Sequence, residues 1–126
     1  MKSFIGALVL TVVIIVSSLL YVNKMDKLSS EMIEINEKTY ELLVSGDYEG
    51  AAESSYKLMN YLEDSRVLLT ATGDHEEIKK IELMCCELTE LIRNRMDGDS
   101  RAKCAALDML LEHMPKNYKI KAENIL

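Results

Sequence analysis

Tryptophan is absent from this chain, and phenylalanine and proline each occur once among 126 residues. With five Gly and one Pro, the chain is neither a collagen-like repeat, a proline-rich linker nor a β-sandwich built on turn residues. Three Cys are too few for a disulfide-stapled miniprotein. Charge is missing as well, but only locally. Nothing between Phe4 and Val22 is charged, and every Asp and Glu lies after Val22. The overall balance, 48% hydrophobic and 29% charged, is that of a globular protein, so the unevenness is the signal. One apolar segment precedes about a hundred residues rich in helix formers.

The run Phe4–Val22, FIGALVLTVVIIVSSLLYV, would rise about 28 Å as a helix, close to the hydrocarbon thickness of a bilayer. A cleaved signal peptide is the competing reading, with Lys2 as its basic flank. Cleavage after Ser17-Ser18, however, would leave Leu19, Leu20, Tyr21 and Val22 at the new terminus. We therefore read residues 1–24 as an uncleaved transmembrane anchor, with Tyr21 at the interface and Lys24 and Lys27 just beyond it. Lys2 on one side nearly balances Lys24 and Lys27, offset by Asp26, on the other. The short charged N-tail is expected to stay in the cytoplasm, which sends the C-terminal domain outside. The remaining chain has 14 basic and 21 acidic residues and no polybasic cluster to hold it inside.

Beyond the anchor, Gly-Asp recurs at Gly46-Asp47, Gly73-Asp74 and Gly98-Asp99. Gly ends a helix in the left-handed conformation, and Asp caps the next one. Asp74-His75-Glu76-Glu77 resembles a capping box. Four runs are separated by these pairs: Leu28, Met32, Ile35, Thr39, Leu42; Tyr48, Ala52, Ser55, Met59, Leu62, continued by Leu69; Ile78, Ile81, Cys85, Leu88, Ile92; and Cys104, Leu107, Leu111, Met114, closed by Pro115. Spacings of three and four predict helices. Short joints make neighbours antiparallel. The expected fold is all-α: an N-terminal transmembrane helix, then an antiparallel four-helix bundle or two stacked helical hairpins over 25–115, and a tail over 116–126. Residues 46–62 and 98–114 also align weakly at an offset of 52, with the look of a tetratricopeptide-like hairpin, but two hairpins are too few for a solenoid.

Several of these segments also occur together elsewhere. Met1-Lys2-Ser3 with the anchor, Gly46-Asp47-Tyr48-Glu49-Gly50-Ala51, Asp74-His75-Glu76, Leu111-Glu112-His113-Met114-Pro115 and Glu123-Asn124-Ile125-Leu126 resemble an uncharacterised family. Its members are short, membrane-anchored helical proteins of anaerobic Gram-positive bacteria, carrying a domain of unknown function. The resemblance covers nearly the whole chain. It implies a bacterial envelope protein with no established activity, and no functional residue carries over.

Candidate chemistry is sparse. Cys85 and Cys104 fall on helix seams, where free Cys acts as a small hydrophobe. With the turn at Gly98 they should be offset by about 12 Å, too far for a disulfide. Cys86 points elsewhere and leaves an intermolecular disulfide open. His75 falls in the first turn of the third helix and His113 in the last turn of the fourth, where a protonated ring suits the dipole. Cys104 and His113 are half a turn out of phase, so no metal is expected. Glu31, Glu34 and Glu41 read as a solvated face, with Glu34 one turn from Lys38. There is no phosphate loop, nucleophile elbow or HExxH, so no enzyme and no cofactor are expected. The acidic balance and lack of a basic stripe argue against nucleic acid.

The tail is the exception. Lys116, Tyr118, Lys119, Ile120 and Lys121 precede any acid until Glu123. Counting helices returns the fourth to the membrane side, where these residues would meet anionic headgroups, dock a membrane partner or cover the open end of the bundle. The expected function is a non-enzymatic, single-pass protein of the bacterial cell membrane that binds or steadies a partner protein. The alternative is an extracytoplasmic small-ligand sensor without its own output domain. The helix phases carry a stability test. Leu88→Ala and Leu111→Ala should each cost about 2–5 kcal/mol, and Glu34→Ala a few tenths. Urea midpoints of the chain in mild detergent should separate the two leucines clearly from the glutamate.

Overall fold

The computed structural model describes the backbone of residues 1–70 and 75–125 and the side chains of 1–70 and 75–114. Five helices and no strand occur among them: α1 Lys2–Val44, α2 Tyr48–Asp64, α3 Arg66–Thr70, α4 His75–Arg93 and α5 Asp97–Ile125. The all-α expectation holds. The Gly73-Asp74 joint and its capping box lie in part outside the described residues.

The uncharged run and the first seam form one helix of 43 residues, unbroken at 24–25. Its apolar part has a mean hydropathy of 2.6 and none of it is buried, so it is long and apolar enough to cross a membrane. Further along, α1 packs on α2 and α5, and α4 packs on both of those. The pairings are ordered. Glu31 meets Tyr61 and Thr39 meets Ser54; Ser29 meets Leu111 and Asn36 meets Cys104; Ser55 meets Thr89; Glu87 meets Lys103. Between α1 and α2, and between α1 and α5, numbers rise on one helix as they fall on the other.

The third and fourth runs are as read. Ile78, Ile81, Cys85, Leu88 and Ile92 are all buried, and so are Cys104, Leu107, Leu111 and Met114. The first run is rotated from its expected face. The buried line is Met25, Ser29, Met32, Asn36, Thr39 and Leu43, with Leu28, Ile35 and Leu42 half-buried on its flanks. Three of those six positions are polar, which hid the seam from hydropathy. On α2 the centre is Ala51, Ser54, Ser55, Leu58 and Leu62, with Tyr48, Ala52 and Met59 half-buried beside it. The second run also breaks at Ser65, and buried Leu69 belongs to the separate α3.

Two turns use the same device. At the end of α1, Asp47 N donates to the Leu42 carbonyl and Gly46 N to that of Leu43, with Gly46 at φ 81°. This is a Schellman closure, and Asp47 then caps α2 through Gly50 N at 2.9 Å. A Cβ at Gly50 would lie 2.4 Å from Asp47 Oδ2, so a larger residue there would make the capping carboxylate shift. At the end of α4, Met96 N donates to the Leu91 carbonyl and Arg95 N to that of Ile92. Here the left-handed residue is Arg95, at φ 56°, and Gly98-Asp99 falls inside the first turn of α5. The third expected joint is therefore three residues early, and the repeat at offset 52 pairs a turn with a helix.

Pro115 does not close the last helix, which runs on to Ile125. A proline at 115 cannot donate to the carbonyl of Leu111, one turn earlier. The Ser29 hydroxyl donates to that carbonyl instead, at 2.6 Å, from the neighbouring helix. His113 therefore sits within a helix rather than at its end, and the dipole argument for its charge lapses. A double-mutant cycle tests this account. Ser29→Ala alone should cost about 1–3 kcal/mol by orphaning the carbonyl. In a Pro115→Ala background, where the helix supplies its own N–H, the same change should cost clearly less.

Candidate functional site

Lys116, Tyr118, Lys119, Ile120 and Lys121 were the sequence's one candidate contact. Their backbone continues α5, and their side chains lie outside the described residues. What the structure does describe is the end of the body toward which α5 runs. Ser18, Tyr21 and Val22, inside the uncharged run, are already half-buried, and Met25 is fully buried. Helix packing thus begins before the apolar segment ends. Tyr21 also donates its hydroxyl to the carbonyl of Leu68 in α3, at 3.3 Å and 47 residues away.

The interior is unusually polar for so small a body. Asn36, 1% exposed, donates Nδ2 to the Cys104 carbonyl at 2.8 Å and to Asp108 Oδ1 at 3.1 Å. Its Oδ1 has no partner. Thr39 and Ser54 are bonded at 2.7 Å, and both hydroxyls lie against the Ile35 carbonyl. Ser55 and Thr89 are bonded across α2 and α4. Thr39 and Ser55 stand in the runs read from the sequence, but Asn36, Ser54 and Thr89 were passed over, because a polar residue at a seam position looks like surface. For Asn36, the heptad spacing from Ser29 to Leu43 on α1 was the available signal.

Two shallow grooves run along α1. The larger, toward α2, is lined by Glu34, Glu37, Lys38, Glu41, Glu53 and Lys57 among others. The other, toward α5, has Asn36, Tyr40, Cys104 and Asp108 in its wall. Glu34 and Glu41 do lie on an exposed face, but Lys38 pairs with Glu41 at 4.0 Å rather than with Glu34. Glu31 is half-buried and accepts the Tyr61 hydroxyl. No group of three metal-ligating side chains occurs among the described residues.

The three cysteines are free, with Cys85 and Cys104 buried and Cys86 exposed. The expected offset between the buried pair does not hold. With the turn at Arg95 rather than Gly98, the two lie at nearly equal distances from it, as the Glu87–Lys103 ion pair at 2.6 Å also requires. Burial pushes the Cys85 thiol up to about 12, helped by Cys86, Glu82 and Cys104. Burial, then Asp108, does the same to Cys104. Tyr61 also rises to about 12, by burial first and then through Glu31. Groups held protonated in this way are packing elements rather than nucleophiles.

A family model, that of a domain of unknown function (DUF4363), matches residues 19–125. The chain belongs to this family. The match begins at Leu19, inside the uncharged run, as the packed body does. No curated protein and no solved structure matches the chain.

The raised values set a pH dependence. The unfolded thiols and phenol release protons near 9 and 10, while the folded ones hold them to about 12. The stabilisation is therefore complete below about pH 9 and is lost as pH climbs toward about 12. Urea midpoints should fall across that window, and a Cys85→Ala, Cys104→Ala double variant should show a shallower fall.

Proposed function

We propose that this chain is a non-enzymatic, single-pass protein of the bacterial cell membrane, whose helical domain lies outside the membrane and binds or steadies a partner protein. One observation carries the reading: the apolar run, none of it fully buried and half-buried only toward its end at Ser18, Tyr21 and Val22, continues as one helix into the packed body. A solvent-exposed run of nineteen uncharged residues has no stable place in water, and its length suits a bilayer. The pairing of α1 with α2 and α5, and of α4 with the same two, supports an antiparallel four-helix bundle, with α3 a short link.

The same register supports a role for the tail. Lys116 is five residues beyond Leu111, which meets Ser29, so the helical rise carries positions 116–121 toward the level of Lys24 and Tyr21. That is where a bilayer's headgroups would lie, and Lys116, Tyr118, Lys119, Ile120 and Lys121 suit lipid or a membrane partner there. The sensor reading keeps one observation in its favour. The unpartnered Asn36 Oδ1 lies beside the groove between α1 and α5, and helical bundles take small ligands between their helices.

Three measurements test the proposal together. Alkaline washing of membranes should leave the chain in the pellet, and deletion of residues 4–22 should release it. A membrane-impermeant maleimide should label exposed Cys86 on intact cells. Cross-linking in membranes should capture one specific partner. Cys86 labelled only after lysis would reverse the orientation, and a chain that elutes alone from every mild detergent would remove the partner.

A further inference from the structure

α3 has only five residues, Arg66–Thr70, and its two sides differ sharply. Leu69 is fully buried and Leu68 is packed against the core. Val67 is 84% exposed, more than any other large apolar side chain among the described residues except Met1. Even the large apolar residues of the uncharged run are less exposed, Phe4 at 74% being the most exposed of them. A valine held out so fully at the corner between two helices has no side-chain partner among the described residues.

The position of that corner identifies its surroundings. Tyr21, in the last turn of the uncharged run, donates its hydroxyl to the Leu68 carbonyl. A helical side chain leans toward the N-terminus of its helix, here toward the apolar run. The Leu68 carbonyl therefore sits level with the end of that run or lower. Arg66, next to Val67, has its charge held by Glu63 at 3.2 Å and by Glu82. Its cation is thus more than balanced, and the cluster keeps one net negative charge.

We propose that α3 is a foot seated in the lipid bilayer, with Val67 and the outer edge of Leu68 in the interfacial acyl region beside Tyr21. The inference rests on the membrane reading of residues 4–22 and adds a second contact, fixed to the first through the Tyr21–Leu68 hydrogen bond. The foot holds the body at a set height and rotation relative to the bilayer. A span alone, joined to its domain by one helix, leaves both free.

The absence of tryptophan makes the test direct. Three variants, Leu10→Trp, Val67→Trp and Val44→Trp, are placed in vesicles containing lipids brominated high on their acyl chains. All three sites are exposed, and Val44 is about 34 Å up the same helix from Tyr21. Emission from the Leu10→Trp and Val67→Trp chains should be quenched several-fold more than that from the Val44→Trp chain. If the Leu10→Trp chain is quenched and the Val67→Trp chain matches the Val44→Trp control, the foot is wrong and the anchor stands. If the Leu10→Trp chain is not quenched, both fall. A nitroxide on Val67→Cys, in a Cys86→Ser background, repeats the reading with a smaller side chain. Its collisions with oxygen should exceed those with a water-soluble nickel complex, and the reverse would overturn the foot.

Discussion

Ser29, Asn36 and Thr39 lie on the buried line of α1, and the register of the whole body depends on them. Each is almost completely removed from water. Apolar side chains on facing helices tolerate a slip of one turn at modest cost. A buried hydroxyl or amide does not, because its partner is lost and its desolvation is not. Ser29 must find the Leu111 carbonyl, Asn36 that of Cys104 and Thr39 the Ser54 hydroxyl. The first two fix α5 against α1, and the third fixes α2. Ser55 and Thr89 then fix α4 against α2.

The Ser29 contact has a further role, because it lets a proline stand inside α5. Without a donor for the Leu111 carbonyl, residue 115 would be the natural end of the helix. With it, the helix runs on to Ile125, ten residues past the proline. A single hydroxyl on one helix thus sets the length of another.

What could be read in the sequence divides along these lines. The five apolar seam residues of α4 were legible and none is displaced, while buried Thr89 beside them was not read. α5 was legible up to Met114, and the proline then gave the wrong boundary because its compensation comes from 82 residues away. The seam of α1 was misread by one position since Ser29 and Asn36 resemble surface residues, and hydropathy moved the face toward Leu28 and Ile35. Arg95 in a left-handed turn had no local signal, while Gly98 nearby offered a false one. The break at Ser65 had none either, lacking both Gly and Pro. The lysines of the tail could be counted, but the approach of Leu68 to Tyr21 is a tertiary contact that no local pattern encodes.

The unbroken passage of α1 from its apolar run into the body has a mechanical meaning. From Val22 to Val44 the helix extends about 33 Å with neither proline nor glycine to bend it. Such a helix is a lever. In the proposed transmembrane arrangement, a change of 20° in the tilt of the apolar run, an ordinary range for single helices, would sweep the far end sideways by about 11 Å. The Gly46 turn at the tip of the lever would register small movements at the apolar end as large ones.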